Sequence, residues 1–146
     1  MSDSPTKQPL AWPVRLGSAV ASGLAFFALD LLWLGVVAQP IYAKHLGLLK
    51  AENVVWPAAI LFYLMYITAI QVHAIWPVHT GRESLKRGAS RGFFAYATYE
   101  LTNWAVIENW PSEIVVIDIA WGVILTGLCA LAGFKVKSFL LNRNES

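Results

Sequence analysis

The sequence predicts an all-α protein, an integral membrane bundle of four transmembrane helices. Hydrophobic residues make up 57% of the 146 residues and charged residues 14%, against about 25% charged in soluble domains. The charges are also clustered, which leaves four long windows with at most one charged residue each. Because a helix needs about 20 largely apolar residues to cross the hydrocarbon, each window can supply one crossing.

The windows set the domain organisation. The third window is the shortest, with 16 residues between its flanking charges, and it needs the Arg91 side chain to snorkel towards the headgroups. We expect a transmembrane domain over residues 14–135, between a cytoplasmic tail at 1–13 and a second at 136–146. The predicted helices span about 14–38, 55–77, 86–108 and 112–134.

Four Trp-Pro pairs mark the ends of the crossings. Trp prefers the headgroup level, and proline suits the first turn of a helix or stops its continuation. Pro13, Pro57 and Pro111 therefore predict the starts of the first, second and fourth helices, and Pro77 the end of the second. No proline falls inside a crossing, so we expect uninterrupted helices, unlike the broken helices of many transporters.

The basic residues predict the orientation. Nine of the eleven Lys and Arg lie on one side of a four-crossing chain, which places both termini in the cytoplasm by the positive-inside rule. The net charge of +2 therefore reflects topology, and no nucleic-acid partner is predicted. A cleaved signal peptide is the alternative for the first window, but its apolar run is too long and contains Asp30.

Three carboxylates fall inside the predicted crossings, and no Lys or Arg accompanies them. With a rise of about 1.5 Å per residue, Asp30 and Glu100 lie past the midpoints of helices that run outward. Asp118 lies before the midpoint of a helix that runs inward. All three acids are therefore expected at one depth, in the outer half of the membrane.

Each acid has aromatic or amide neighbours at helical spacing. Asp-x-x-Trp occurs twice, and this spacing places an indole N–H one turn from a carboxyl. Tyr96, Tyr99, Glu100 and Asn103 form a polar stripe on the third helix, and Tyr63 and Tyr66 lie on the second. The predicted site residues are Asp30, Glu100, Asp118, Tyr63, Tyr99, Asn103, Trp33 and Trp121.

The acids allow three hypotheses. An ionised acid in the bilayer costs about 2.5–3.5 kcal/mol on insertion scales, so at least one should be protonated or a cation should lie among them. The leading hypothesis is binding or transport of a proton, cation or small polar or cationic molecule. The alternatives are an integral-membrane enzyme or accessory factor acting on lipid, and a structural or assembly subunit whose acids are interhelical clamps.

Cofactor and catalytic signals are weak. No metal or cofactor is predicted, because no His or Cys pair has metal-ligand spacing, although His45 could approach the acids from the outer loop. Cys129 has no basic neighbour and is predicted to pack in the core. Without a recognisable catalytic pattern, the sequence favours a protein that is not an enzyme. The segment 40–52 could lie on the outer surface as a short interfacial helix that covers the acids, and a simple connector between the first two helices is the favoured alternative. The expected surroundings are the lipid bilayer, with homo-oligomerisation left open.

Four segments carry a resemblance to a known family: "LDLLWLG" (29–35), "WPAAILFYLMY" (56–66), "AYATYELTN" (95–103) and "DIAWG" (118–122). On these the chain resembles an uncharacterised bacterial family of small membrane proteins, domain of unknown function 2177, over roughly residues 14–135. The resemblance implies a four-helix protein of the bacterial inner membrane and supplies no substrate or catalytic residue. It also implies Asp more often than Glu at position 100, and the longer arm of Glu disfavours a strict metal geometry.

Overall fold

The computed structural model describes residues 10–38 and 54–144. Two predictions fall outside this part of the chain: the interfacial helix at 40–52 and the approach of His45 to the acids. Lys44 and Lys50, the two basic residues assigned to the outer side, also lie outside it, as do residues 1–9 and 145–146.

The described residues form four helices, and 88% of them are helical. Helix α1 spans Trp12–Leu32 and continues as a π-helical segment, Trp33–Ala38. Helix α2 spans Trp56–Ile70 and continues as a second π-helical segment, Gln71–Ile75. Helix α3 spans Gly81–Val106 and α4 spans Ser112–Asn144. Since there is no strand within these ranges, the all-α prediction is confirmed.

Proline acts at the helix ends as predicted. Pro13 and Pro57 occupy the first turns of α1 and α2, and Pro111 immediately precedes α4, where its carbonyl accepts from the Ile114 amide. The expected regular helices are replaced at the ends of α1 and α2 by π-helical turns. In the second of these, the Trp76 amide donates to the Gln71 carbonyl at 2.8 Å, five residues back instead of four.

Two helices extend beyond their predicted bounds. α3 begins at Gly81, because the Thr80 hydroxyl accepts from the Glu83 amide at 3.2 Å and so caps the helix. Arg82, which lies outside the predicted bounds of 86–108, therefore belongs to the first turn of α3. α4 continues through the predicted C-terminal tail to Asn144.

Three helices are long and apolar enough to cross a membrane: Trp12–Val36, Trp56–Ile75 and Ser112–Arg143. α3 does not reach that composition in any stretch, because Lys and Arg occupy its first half and Tyr, Thr, Asn and Glu100 interrupt the apolar residues of its second half. Its second half exposes apolar side chains from Phe93 to Val106. The crossing of the membrane by α3 therefore stays a prediction.

α4 lies at the centre of the bundle, antiparallel to both α3 and α1. Against α3, a Cβ built at Gly88 would lie 2.6 Å from the Ala130 Cβ, and one at Gly92 would clash with the Gly122 carbonyl. Such close backbone approach is what small residues permit in lipid. On its other side, Gly133 of α4 lies against Ser18 and Ser22 of α1. The buried hydrophobic core includes Phe26, Ile70, Ala74, Ile75, Leu125, Cys129 and Ala130.

Buried polar groups fix the end of α2 against α1 and α4. The Ser18 hydroxyl donates to the Gln71 side-chain oxygen at 2.9 Å, and the Gln71 amide donates to the Ser22 hydroxyl at 2.6 Å. The Lys137 ammonium donates to the carbonyls of Ile75 and Trp76 at 3.0 Å and of Val78 at 2.6 Å. These are carbonyls at the C-terminal end of a helix, where a cation is favoured.

The antiparallel packing makes the bundle electrically polar. Every Lys and Arg among the described residues lies at the end where α1 and α3 begin and α2 and α4 end. The three acids of the predicted crossings lie towards the opposite end, which also carries Glu108 and Glu113. This separation agrees with the charge pattern used to predict orientation, and the cytoplasmic placement of the basic end remains a prediction.

Candidate functional site

Glu100 on α3 and Asp118 on α4 form a buried pair of carboxyl groups. Their exposed fractions are 1% and 7%, and their side chains are close enough to interact with each other. The register that places Gly92 against Gly122 and Thr126 continues along both helices and brings Glu100 opposite Asp118. Two carboxyl groups can share a hydrogen bond only if one of them carries a proton, since an ionised carboxylate has no donor.

Trp110 supplies the second contact to Glu100. Its indole N–H donates to Glu100 Oε2 at 3.0 Å. α3 ends at Val106, and the chain turns back through Asn109, whose φ of 61° is a conformation that Asn tolerates better than most residues. The Trp-Pro pattern predicts a membrane-interface position for Trp110 and does not predict its contact with Glu100. One feature of the sequence could have indicated this contact. Glu100 has no basic partner in its helix, and Trp110, an N–H donor, follows it ten residues later across a short connection.

Asp30 is the more exposed third member of the group. It is half-buried on α1, close enough to Asp118 for electrostatic interaction, and it faces the indole N–H of Trp121. That contact does not meet strict hydrogen-bond geometry. The three acids predicted at one depth are therefore brought together, with Asp118 next to both of the others. We call Asp30, Glu100 and Asp118 the acidic cluster.

The two Asp-x-x-Trp motifs meet at their tryptophans. The rings of Trp33 and Trp121 stack with their centroids 4.5 Å apart and their planes 7° from parallel. Since α1 and α4 run in opposite directions, the two acids and the two indoles form one compact unit. Both indole nitrogens are buried and lack a hydrogen-bond partner that meets the geometric criteria. The acidic cluster is thus bordered by two N–H donors.

The tyrosines and the asparagine of the predicted site have different positions. Tyr63 interacts electrostatically with Asp30, and its ring packs on Phe27 with a centroid separation of 4.7 Å. Tyr99 is 61% exposed and makes an edge contact with Trp110, because it precedes Glu100 and so points about 100° away around the helix. Asn103 is half-buried, and within the described part of the chain its side chain forms no hydrogen bond with an acid.

A further polar link lies one turn along α4 from Gly122. The Tyr66 hydroxyl of α2 and the Thr126 hydroxyl of α4 are 2.7 Å apart and form a hydrogen bond. Tyr66 belongs to the tyrosine pair noted on the second predicted helix, but the sequence does not predict its pairing with Thr126. It connects α2 to the helix that carries Asp118.

A family model described as "Predicted membrane protein (DUF2177)" matches residues 16–135. The chain belongs to this family. The resemblance inferred from the four segments is therefore confirmed, and the matched residues include the whole acidic cluster and both Asp-x-x-Trp motifs. The family's function is unknown, so membership supports a membrane protein with several spans and no particular activity. No curated protein and no solved structure is significantly similar to the chain.

In this member of the DUF2177 family, the chemistry available at the cluster is protonation and electrostatic binding. Over residues 10–38 and 54–144, no three side chains of His, Cys, Asp or Glu are arranged to hold a metal ion. Cys129 is fully buried in the hydrophobic core, as its interpretation as a packing residue requires. The cluster can hold a proton between Glu100 and Asp118 and offers Asp30 to a positively charged group.

Proposed function

We propose that the protein binds a proton at the acidic cluster and exchanges it on binding a small cationic or polar molecule. The observation that carries the proposal is the close approach of the two buried carboxyl groups of Glu100 and Asp118 beside a third acid. Intramembrane ionisable residues commonly mark ion, proton or substrate pathways. The proposed setting is the bacterial inner membrane, with the cluster in the outer half of the bilayer.

The three acids have different roles in this proposal. Glu100 is almost fully enclosed and is held by Trp110, so it is the fixed member of the pair. Asp118 interacts electrostatically with both other acids and is the site of the exchangeable proton. Asp30 is the most accessible and receives the incoming positive charge, with the indoles of Trp33 and Trp121 as donors to any acceptor atom of the ligand. A positive ligand would ionise the pair and release its proton.

A structural function is the second candidate, supported by the hydrogen bond from Trp110 to Glu100 and by the interaction of Glu100 with Asp118 on α4. Under this proposal the acids clamp α3 to α4 and to the connection before α4. Hydrogen bonds between membrane helices contribute about 0.6–2 kcal/mol. The two functions differ in what Asn at position 118 should do, since Asn is neutral and can preserve a hydrogen bond but cannot release a proton.

Proton release is the experiment that separates them. The full chain in weakly buffered detergent is mixed with sodium, potassium or methylammonium chloride, and a pH indicator follows the solution. We expect at least one probe to release protons from the native protein and none to do so from Asp118→Asn or Asp30→Asn. The matched control is Glu108→Gln, which removes an exposed acid outside the cluster and should release protons as the native protein does.

Infrared spectroscopy of the same samples provides a readout that needs no ligand. The native protein at neutral pH should show the C=O stretch of a protonated carboxyl group, and Asp118→Asn should remove it. A native spectrum without this band would contradict the proton site. A different set of results would favour the structural function: the native protein shows the band, no probe releases protons, and Asp118→Ala has lower thermal stability.

A further inference from the structure

A cavity of about 570 Å³ lies at the basic end of the bundle, between the end of α2 and the second to fourth turns of α3. This volume is within the range of small-molecule sites, about 300–1,000 Å³. Its lining residues, which we call the basic cavity, are His73, Lys86, Arg87, Ser90, Arg91 and Phe94. The acidic cluster lies on other residues, towards the opposite end of the bundle.

The basic cavity carries an excess of positive charge. Arg87 pairs with Glu83 at 2.7 Å, which neutralises one of its three cations. No carboxylate of the described chain forms an ion pair with Lys86 or Arg91. The Ser90 hydroxyl adds a neutral hydrogen-bond donor. Cations and a hydroxyl around one space are suited to a phosphate group, which takes several charge-assisted hydrogen bonds.

An apolar groove of about 430 Å³ adjoins the basic cavity. His73 lines both, so the two spaces meet at that side chain. The groove runs along the outer face of α2, and Leu64 and Met65 at its far end are both 64% exposed. Its lining residues, which we call the apolar groove, are Leu64, Met65, Thr68, Ala69, Val72 and His73.

We propose that the basic cavity and the apolar groove together bind one anionic phospholipid. Its phosphate lies among Lys86, Arg87 and Arg91, and one acyl chain lies along α2. From His73 to Leu64 the helix rises about 13 Å, close to the hydrocarbon thickness of one leaflet, about 15 Å. Basic pockets between membrane helices on the cytoplasmic side are known to take anionic headgroups.

The shape of the combined site selects a lipid over a soluble anion. A soluble phosphate compound would use the basic cavity and leave the groove without a role. A phospholipid uses both, because its charged and apolar parts are joined in the order in which the site presents them. The polar contacts of Gln71 and Lys137 hold the end of α2 in place, so this wall of the cavity is a fixed part of the fold.

The test measures phosphatidylglycerol bound to the full chain by native mass spectrometry, with phosphatidylcholine as the zwitterionic reference. Each basic side chain near an anionic lipid contributes enough that removing two should weaken binding roughly 30-fold. The test variant is the double substitution Lys86→Gln and Arg91→Gln. The matched control is Arg82→Gln and Lys135→Gln, which removes two exposed cations from the same end and should leave binding unchanged.

Filling the groove tests the acyl chain separately. Ala69→Phe should weaken phosphatidylglycerol binding while inorganic phosphate remains a poor competitor. Equal losses in the two double variants would show only general attraction to an anionic leaflet and would overturn the site. Competition by inorganic phosphate at the same concentration as lipid, or undiminished binding in Ala69→Phe, would equally overturn a lipid site. None of these outcomes depends on proton release at the acidic cluster.

Discussion

Glu100 is a carboxyl group in an apolar helix that is almost fully shielded from solvent, so its hydrogen bonds decide whether it can be accommodated. Trp110→Phe keeps an aromatic ring beside Tyr99 and removes only the N–H that reaches Glu100. Losing a hydrogen bond to a charged or strongly polar buried group typically costs about 1.5–3 kcal/mol. We expect this decrease in the free energy of unfolding, measured by denaturant titration in detergent micelles.

Trp104→Phe is the matched control for that experiment. Trp104 is on the same helix and 53% exposed, so its N–H is not needed inside the bundle and stability should change little. If both variants lose the same stability, the effect comes from the membrane-facing aromatic surface, and the bond between Trp110 and Glu100 contributes nothing measurable.

Individual acids could be predicted from the sequence, but several of their partners could not. Asp30 and Asp118 each have a tryptophan at helical spacing, and that pattern predicts an indole one turn from each carboxyl group; in the structure Asp30 faces Trp121 of the other motif. Trp110 and Tyr99 show the limit. The reach of Trp110 depends on a turn at Asn109, and the direction of Tyr99 depends on how α3 is rotated about its axis. Neither is encoded in residue spacing alone.

At the scale of elements, α3 and α4 pack closely because glycines lie at their interface, at positions 88, 92 and 122. Gly92→Ala would drive a Cβ into the Gly122 carbonyl and to 2.6 Å from the Thr126 hydroxyl oxygen, and backbone atoms cannot move aside cheaply. Overpacking of this kind costs about 1–3 kcal/mol. We expect a lower midpoint of thermal unfolding, followed by intrinsic fluorescence of the seven tryptophans.

Replacing glycine by alanine should raise the midpoint of thermal unfolding at Gly23, where there is space for the added methyl group. A Cβ at Gly23 of α1 would meet no atom within 4 Å, and replacing glycine by alanine inside a helix gains about 0.5–1 kcal/mol. Gly23→Ala should therefore raise the unfolding midpoint slightly. A decrease at Gly23 as large as that at Gly92 would mean that the close approach of α3 and α4 is not the cause.

Helix positions followed from the sequence wherever proline or a long apolar run defined them. α1 and α2 begin at Trp12 and Trp56, so Pro13 and Pro57 lie in their first turns as predicted. The start of α3 was placed about five residues late, because its basic first turns look like a loop until the Thr80 cap is considered. The π-helical turns leave no comparable signal in the sequence, although Gln71 in the second of them hydrogen-bonds to Ser18 and Ser22 of α1.

At the scale of the whole molecule, the bundle separates its charges. Lys and Arg of the described chain lie at one end, and the acidic cluster lies towards the other. The sequence predicted this polarity because charge counts on successive loops need only the order of the helices. It could not predict the basic cavity, which requires the end of α2 and the start of α3 to be placed side by side.

The membrane crossing of α3 is the topological prediction that matters most, because it places the acidic cluster and the basic cavity on opposite sides. Arg82 and Glu108 are exposed at the two ends of this helix, and the native Cys129 is fully buried. We expect Arg82→Cys to react with a membrane-impermeant maleimide only after permeabilisation and Glu108→Cys to react in intact spheroplasts. Reaction of both from the same side would show that α3 does not cross. In that case the exposed apolar side chains from Phe93 to Val106 would have to lie along the membrane surface instead of spanning it.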